Sequence, residues 1–228
     1  MLVYHGVGEV ADRDDPDRLV VTPAHLESQV RLLLRLGYTF VTAAEALDRF
    51  PAGRLPRGFA MLTFDDGWRD ALTEVAPLLQ RLGVRASFYV NPGLWGAQHA
   101  SVAGPAGVLM TRDEAGELHA RGMEVASHTM SHPDLRRLDD AALAAELRDS
   151  KAAVEAVTGG PCRTFAYPFG LFDARVRAAA AAAGYELALA WQPRRGWDPL
   201  AVGRLPGPPR HGAGRLALKL LGVRRRGP

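Results

Sequence analysis

Cysteine is nearly absent from this 228-residue chain. Cys162 stands alone, which excludes an internal disulfide and a cysteine metal cluster. Lysine is almost as scarce: of 28 basic residues only Lys151 and Lys219 are lysines, so arginine carries the positive charge. No basic stripe with interleaved aromatics runs through the body of the chain, which argues against a nucleic-acid partner. No run of about eighteen uninterrupted apolar residues occurs, so no spanning helix is expected. Met1-Leu2-Val3-Tyr4-His5 leads straight into structure, with no basic segment and long apolar stretch of the secretory kind. The expectation is a cytoplasmic protein, or a cell-envelope or extracellular one if a leader is missing from this chain.

What is present is ordinary for a soluble globular protein: 47% hydrophobic and 23% charged residues, in a length at the upper edge of one domain. The net charge of +3 is concentrated late, in Arg204, Arg210, Arg215, Lys219 and Arg224-Arg225-Arg226. This divides the chain into a domain over 1–210 and a basic tail over 211–228. The tail reads as a solvated segment able to make a weak anionic-surface contact.

Short β-like runs alternate with amphipathic stretches. Strands are expected at Leu2–Tyr4, Tyr38–Val41, Phe59–Phe64, Val84–Val90, Met123–Ser127, Thr164–Tyr167 and Glu186–Trp191. Thr22-Pro23 opens a helix to about Leu36, stopped by Gly37, with Leu26, Val30, Leu33 and Leu34 on one face. Thr42 with Glu45 and Thr111 with Glu114 fit the capping box, while Asp139 and Asp173 begin two alanine-rich helices. Seven strands alternating with helices predict an α/β fold with parallel pairing, closed or nearly closed as a distorted (β/α) barrel. An open doubly wound sheet is the alternative. Asn91–Gly107, rich in glycine, reads as a long loop at the carboxyl ends of the strands, where such loops are often functional.

Five chemically interesting segments fall at those carboxyl ends: His5, Asp65-Asp66, His128, Pro168-Phe169-Gly170 and Trp191. Adjacent carboxylates and two histidines four apart (His128, His132) suit one mononuclear metal site with two imidazoles and one carboxylate. Such a set leaves positions open, and the other carboxylate stays free as a base. An ion so held lowers the pKa of water toward neutrality. A turn of helix-like loop, ended by Pro133, is expected to bring both imidazoles to one side. Gly6-Val7-Gly8-Glu9-Val10-Ala11 has dinucleotide-binding spacing, but Asp12-Arg13-Asp14-Asp15-Pro16 follows it instead of the required helix.

Thr63-Phe64-Asp65-Asp66-Gly67 with Ser127-His128-Thr129-Met130-Ser131-His132 resembles the polysaccharide deacetylases of the NodB-homology class, carbohydrate esterase family 4. The likeness extends to Tyr4-His5-Gly6-Val7, the Thr22-Pro23 helix, Phe165-Ala166-Tyr167-Pro168-Phe169-Gly170 and Gly184-Tyr185. It implies a hydrolase of linear amides that removes N-acetyl groups from an amino-sugar polymer or glycan conjugate with a divalent metal, most simply Zn2+. The alternatives are an acetyl-ester or other amide hydrolase of the same fold, or a non-catalytic carbohydrate-binding protein. The resemblance implies Asp65 as general base, Asp66, His128 and His132 as ligands, and the Phe169 amide as oxyanion donor.

The chain departs from the common pattern at Ala166, where many members carry an arginine that fixes the catalytic aspartate; Arg163 and Arg204 are the candidate replacements. The general acid is expected to be His5, as in the poly-N-acetylglucosamine deacetylase subgroup, with His211 as the other candidate. Trp68, Tyr89, Trp95 and Tyr167 are candidate sugar-binding aromatics, and Asp198 is a candidate for orienting an acid or base. His25, His99 and His119 read as surface residues.

Overall fold

Local signals written into the sequence account for most of the observed elements. The computed structural model describes residues 1–191, 196–208 and 211–218. Its strands are β1 (Leu2–Tyr4), β2 (Thr39–Phe40), β3 (Phe59–Ala60), β4 (Leu62–Phe64), β5 (Ser87–Val90), β6 (Glu124–Ser127), β7 (Thr164–Ala166), β8 (Leu187–Ala190), β9 (Val202–Gly203) and β10 (Leu205–Pro206). Eight form one sheet in the order β10-β1-β4-β5-β6-β7-β8-β9, every pairing parallel. β9 and β10 are two halves of one extended segment around Arg204. Arg204 N–H donates to the Ala190 carbonyl on the β8 side (3.2 Å), and Leu205 N–H to the Met1 carbonyl beside β1 (3.0 Å). This segment spans the seam, and the sheet is a nearly closed, distorted (β/α) barrel.

Two sequence expectations change here. The run at Tyr38–Val41 is not a barrel strand; it shortens to β2 and pairs only with β3, in register Thr39 to Phe59. The run at Phe59–Phe64 breaks at Met61, whose carbonyl takes the Leu2 N–H (2.9 Å), so β3 and β4 serve different sheets. The barrel's seventh member is instead Val202–Pro206. Its interspersed Gly203, Arg204 and Pro206 dilute the apolar pattern by which a strand is recognised.

The helices are α1 (Pro23–Arg35), α2 (Ala43–Arg49), α3 (Ala76–Arg81), α4 (Arg112–Ala120), α5 (Asp140–Thr158) and α6 (Ala174–Ala182). Thr22, Thr42, Thr111, Asp139 and Asp173 each accept a backbone N–H as N-caps, and α2 and α4 carry complete capping boxes. Each such cap is worth about 1 kcal/mol. The buried face of α1 is Leu26, Gln29, Val30 and Leu33, while Leu34 is 37% exposed. Gln29 is buried because it accepts from Tyr4 Oη (2.7 Å) and donates to the carbonyls of Pro208 (2.9 Å) and His211 (2.7 Å). Ala213 N–H donates to Ser28 Oγ, and Leu216 is buried in the core, so residues 211–218 pack on the barrel. Arg210, Lys219 and Arg224-Arg225-Arg226 lie outside the described residues.

The main core fills the barrel and its helix contacts, and a small separate cluster of Val20, Trp68, Val102 and Leu109 lies beneath the 91–110 loop. That cluster pins the loop over the carboxyl ends of the strands. Among the described residues no helix is long and apolar enough to cross a membrane.

Candidate active site

The carboxyl end of β4 delivers two carboxylates in opposite directions. Asp65 N–H donates to the Tyr4 carbonyl, extending the β1–β4 ladder by one bond (3.0 Å). The chain then turns through two consecutive left-handed residues, Asp66 (φ 70°) and Gly67 (φ 72°). Asp65 points at Arg204, which donates from both terminal nitrogens to its two oxygens at 2.7 Å each and also to Thr63 Oγ1 at 3.0 Å. Both partners are almost wholly buried, with side chains 1% and 5% exposed. The Tyr89 ring lies beside the guanidinium, 5.9 Å from its centre. Burial favours the neutral acid, but Arg204 and the neighbouring His128 outweigh it and hold the Asp65 carboxyl below its usual range. Of the two candidate replacements for the arginine missing at Ala166, Arg204 is the one paired with Asp65. Arg163 is instead on the surface with Glu186 and Asp48.

Asp66 faces the imidazoles. Its Oδ1 lies 3.4 Å from the Nε2 atoms of both His128 and His132, and its Oδ2 lies 3.3 Å from Nε2 of His99. Burial again opposes ionisation, and the contacts from His128 and His99 overcome it, so Asp66 sits well below the usual carboxyl range. His132, pressed by burial and by His128, is pushed down to about 4. The loop after β6 is not helical, as the spacing had suggested; Thr129 (φ 72°) and His132 (φ 59°) are both left-handed, and this doubled turn brings the two rings to 4.8 Å. Glu146 of α5 accepts the Met130 and Ser131 N–H groups, and Asn91 donates to the carbonyls of His128 and Thr129, fixing the loop from both sides.

A ligand atom from each of Asp66, His128 and His132 falls within 4.8 Å of the other two. His128 Nδ1 is 2.7 Å from the Ala166 carbonyl, which can only accept, so in the neutral ring the proton sits on Nδ1 and the Nε2 lone pair is available. The donor set therefore fits a divalent cation. Asp65, held by two bonds to Arg204, is kept out of it.

These groups line a cavity of about 550 Å3 together with His5, Asp17, Asn91, His99, Phe169, Gly170 and Trp191. Phe169 is left-handed (φ 57°), packs edge-on against His132 (4.6 Å between ring centres) and is 54% exposed. Gly170 follows with φ 64°, and a Cβ there would come within 2.3 Å of Trp191 Cβ, so only glycine lets Trp191 close that wall. Among the described residues six non-glycines have positive φ, and three of them (Asp66, His132 and Phe169) line this cavity, while a fourth, Thr129, lies in the turn between His128 and His132. Such backbone costs about 1–3 kcal/mol per residue, and its clustering marks a built site.

The structure thus gathers His5, Asp65, Asp66, His128, His132 and Phe169 around one cavity. His211 is not among its lining residues and sits against α1. The four aromatics expected to bind sugar do not line it. Trp68, Tyr89 and Tyr167 are buried to 1% exposure or less, and Trp95 packs half-buried on the core. Large rings gain more from packing than from solvent contact. Tyr167 donates to the Leu200 carbonyl (2.9 Å). Asp198 is bound to Arg177 (2.6 and 2.8 Å), away from the cavity lining. The aromatic faces at the cavity are those of Phe169 and Trp191. His99, expected at the surface, lies inside with its ring 4.5 Å from that of Trp68; its one advance signal was its place in the long loop.

Comparison with known proteins gives the family and the fold. A family model described as polysaccharide deacetylase matches residues 52–188, a span that contains Asp65, Asp66, His128, His132 and Phe169 and stops short of His5 and Arg204. YxkH of Bacillus subtilis, named after the polysaccharide deacetylases, is 24% identical over 194 residues, covering 85% of this chain and 64% of its own length. A chitin deacetylase of Pestalotiopsis is 33% identical over 105 residues, 46% of this chain and 32% of that protein. This chain therefore spans less than two thirds of the length of the curated relatives it matches. The fold is similar to that of the Streptococcus pyogenes deacetylase PplD, solved with acetate, at a TM-score of 0.81 and 23% identity over 95% of both chains. The match runs through more than half of the sequence and includes both motifs that converge on the cavity: the chain belongs to the polysaccharide deacetylase family.

Proposed function

We propose that this chain is a metal-dependent hydrolase that removes N-acetyl groups from an amino-sugar polymer or glycan conjugate, with Zn2+ the ion best matched to two imidazoles and one carboxylate. The observation that carries the reading is the division of labour between neighbouring acids: Asp66 faces His128 and His132, while Asp65 is locked onto Arg204 and excluded from that set. When bound, the ion supplies Lewis acidity toward the amide carbonyl and eases deprotonation of water.

The chain's own groups do the rest. Asp65, kept ionised and aimed by Arg204, takes a proton from the water that attacks the acetamide carbon. The Phe169 amide donates to the oxygen that gains charge, its position fixed by the left-handed turn. His5, at the end of β1 and on the cavity wall, gives a proton to the nitrogen as the carbon–nitrogen bond breaks, releasing acetate and a free amine. Phe169 and Trp191 offer apolar faces to the ring and acyl group. Zn2+-loaded protein is expected to release acetate from N-acetylglucosamine oligomers, read by an acetate assay. Absence of release from these and from other N-acetylated glycans would overturn the reading.

A further inference from the structure

His99 comes from the 91–110 loop, outside the two motifs that build the metal set, yet its ring reaches the same carboxylate. We propose that His99 is a positioning residue that donates a hydrogen bond from Nε2 to Asp66 Oδ2, reserving Oδ1 for the ion. The inference rests on the metal-binding reading above and deepens it.

The argument is one of tautomers. Ser101 N–H donates to His99 Nδ1 (3.2 Å), so Nδ1 must be the unprotonated nitrogen. In the neutral ring the proton is then on Nε2, which lies 3.3 Å from Asp66 Oδ2. A protonated Nε2 cannot ligate a cation; it can only donate. In its neutral form His128 shows the reverse arrangement: Nδ1 donates to the Ala166 carbonyl, leaving the Nε2 lone pair, 3.4 Å from Asp66 Oδ1, for a cation. Two backbone groups, one N–H and one carbonyl, thus set two imidazoles around one carboxylate in opposite roles. Trp68 completes the clamp: its ring lies 4.5 Å from that of His99, and its Nε1–H points at the same Oδ2 at 3.4 Å. Trp68 is itself fixed in the small apolar cluster under the loop, so the loop's packing is transmitted to the carboxylate. With Oδ2 held by two N–H donors, Asp66 is set to bind through Oδ1 alone, the oxygen equidistant from His128 and His132.

The test measures Zn2+ affinity by chelator competition in wild type, His99→Ala and His99→Gln, with the thermal stability of each metal-free protein alongside. His99→Ala is expected to bind about 10–100-fold more weakly, the usual cost of losing a partner behind a ligand. His99→Gln, whose amide keeps an N–H donor, should recover most of that loss. Equal affinity in wild type and His99→Ala overturns the proposal while leaving the metal site standing; wild type that takes up no divalent ion overturns the site and the proposal together. Long-range proton–nitrogen NMR of the wild type decides the matter even if the variants fail to fold. His99 should show a protonated Nε2 with and without Zn2+, and a metal-shifted Nε2 would make it a ligand instead.

Discussion

Three carboxyl groups lie within six residues after β4, and they meet opposite fates. Asp65 and Asp66 turn inward to the cavity; Asp70 turns outward against the loop that follows β1. All three carboxyls are shielded from water. Asp65 and Asp66 are nonetheless held below the usual carboxyl range, because a guanidinium and several imidazoles face them. Asp70 has the Val7 N–H on Oδ2 (2.8 Å), no hydrogen-bond partner among the described residues for the buried Oδ1, and Glu74 nearby; burial pushes its pKa well above the usual range. Burial alone makes an acid neutral, and only a cationic or multiply donating partner keeps it charged. The charged state of the site is thus a product of its partners, Arg204 on one side and the histidines on the other.

This contrast can be broken piece by piece. The largest effect is expected from His128→Ala, which removes one of the proposed ligands. Zn2+ binding should weaken by at least about 100-fold and turnover should vanish with it, as measured by chelator competition and acetate release. Asp65→Asn should separate the two halves of the site, keeping Zn2+ affinity within a few-fold while turnover falls by about 100- to 10,000-fold. Unchanged turnover would refute Asp65 as the base. Arg204→Met should cost about 3–5 kcal/mol by stranding the buried Asp65 carboxylate. At about 2–4 °C per kcal/mol in a chain of this size, the melting temperature should fall by roughly 6–20 °C.

The smallest effect tests the outward acid. Asp70 has its folded pKa raised above its unfolded value, so the folded state binds its proton more tightly. Its contribution is therefore favourable below the ordinary carboxyl range and is lost as the pH rises from there through the folded value. Asp70→Asn keeps an acceptor for Val7 and removes that loss. It should raise the melting temperature at neutral pH by about 2–4 °C and leave it little changed in acid. An equal shift at both pH values would show that Asp70 does not titrate as described.

Much of the site was legible because its signals are local. The helix caps at Thr22, Thr42, Thr111, Asp139 and Asp173 are spelled out within a few residues, and the structure forms them where they are written. Asp65-Asp66 and His128…His132 could be placed together because parallel strands put their carboxyl ends on one face, whichever strands intervene. What remained illegible is long-range. Arg204 is 139 residues from Asp65, and its strand carries glycine and proline in place of an apolar run. His99 looked like a loop histidine because nothing adjacent to it reveals the turn at Ser101 or the ring contact with Trp68.

The aromatics make the same division from the other direction. Composition supplies Trp68, Tyr89, Tyr167, Phe169 and Trp191 alike as flat aromatic surfaces, without saying which way each faces. Burial in the barrel claimed Tyr89 and Tyr167 and the cluster under the loop claimed Trp68, while the left-handed turn at Phe169 and the bare Gly170 beneath Trp191 turned the last two to the cavity. The sequence by itself determined the kind of chemistry, since residue types and strand-end placement survive any detail of packing. The tertiary structure alone decided which acid meets the arginine, which histidine donates and which ring is exposed. Those outcomes depend on contacts between segments far apart in the chain, and no short-range pattern encodes them.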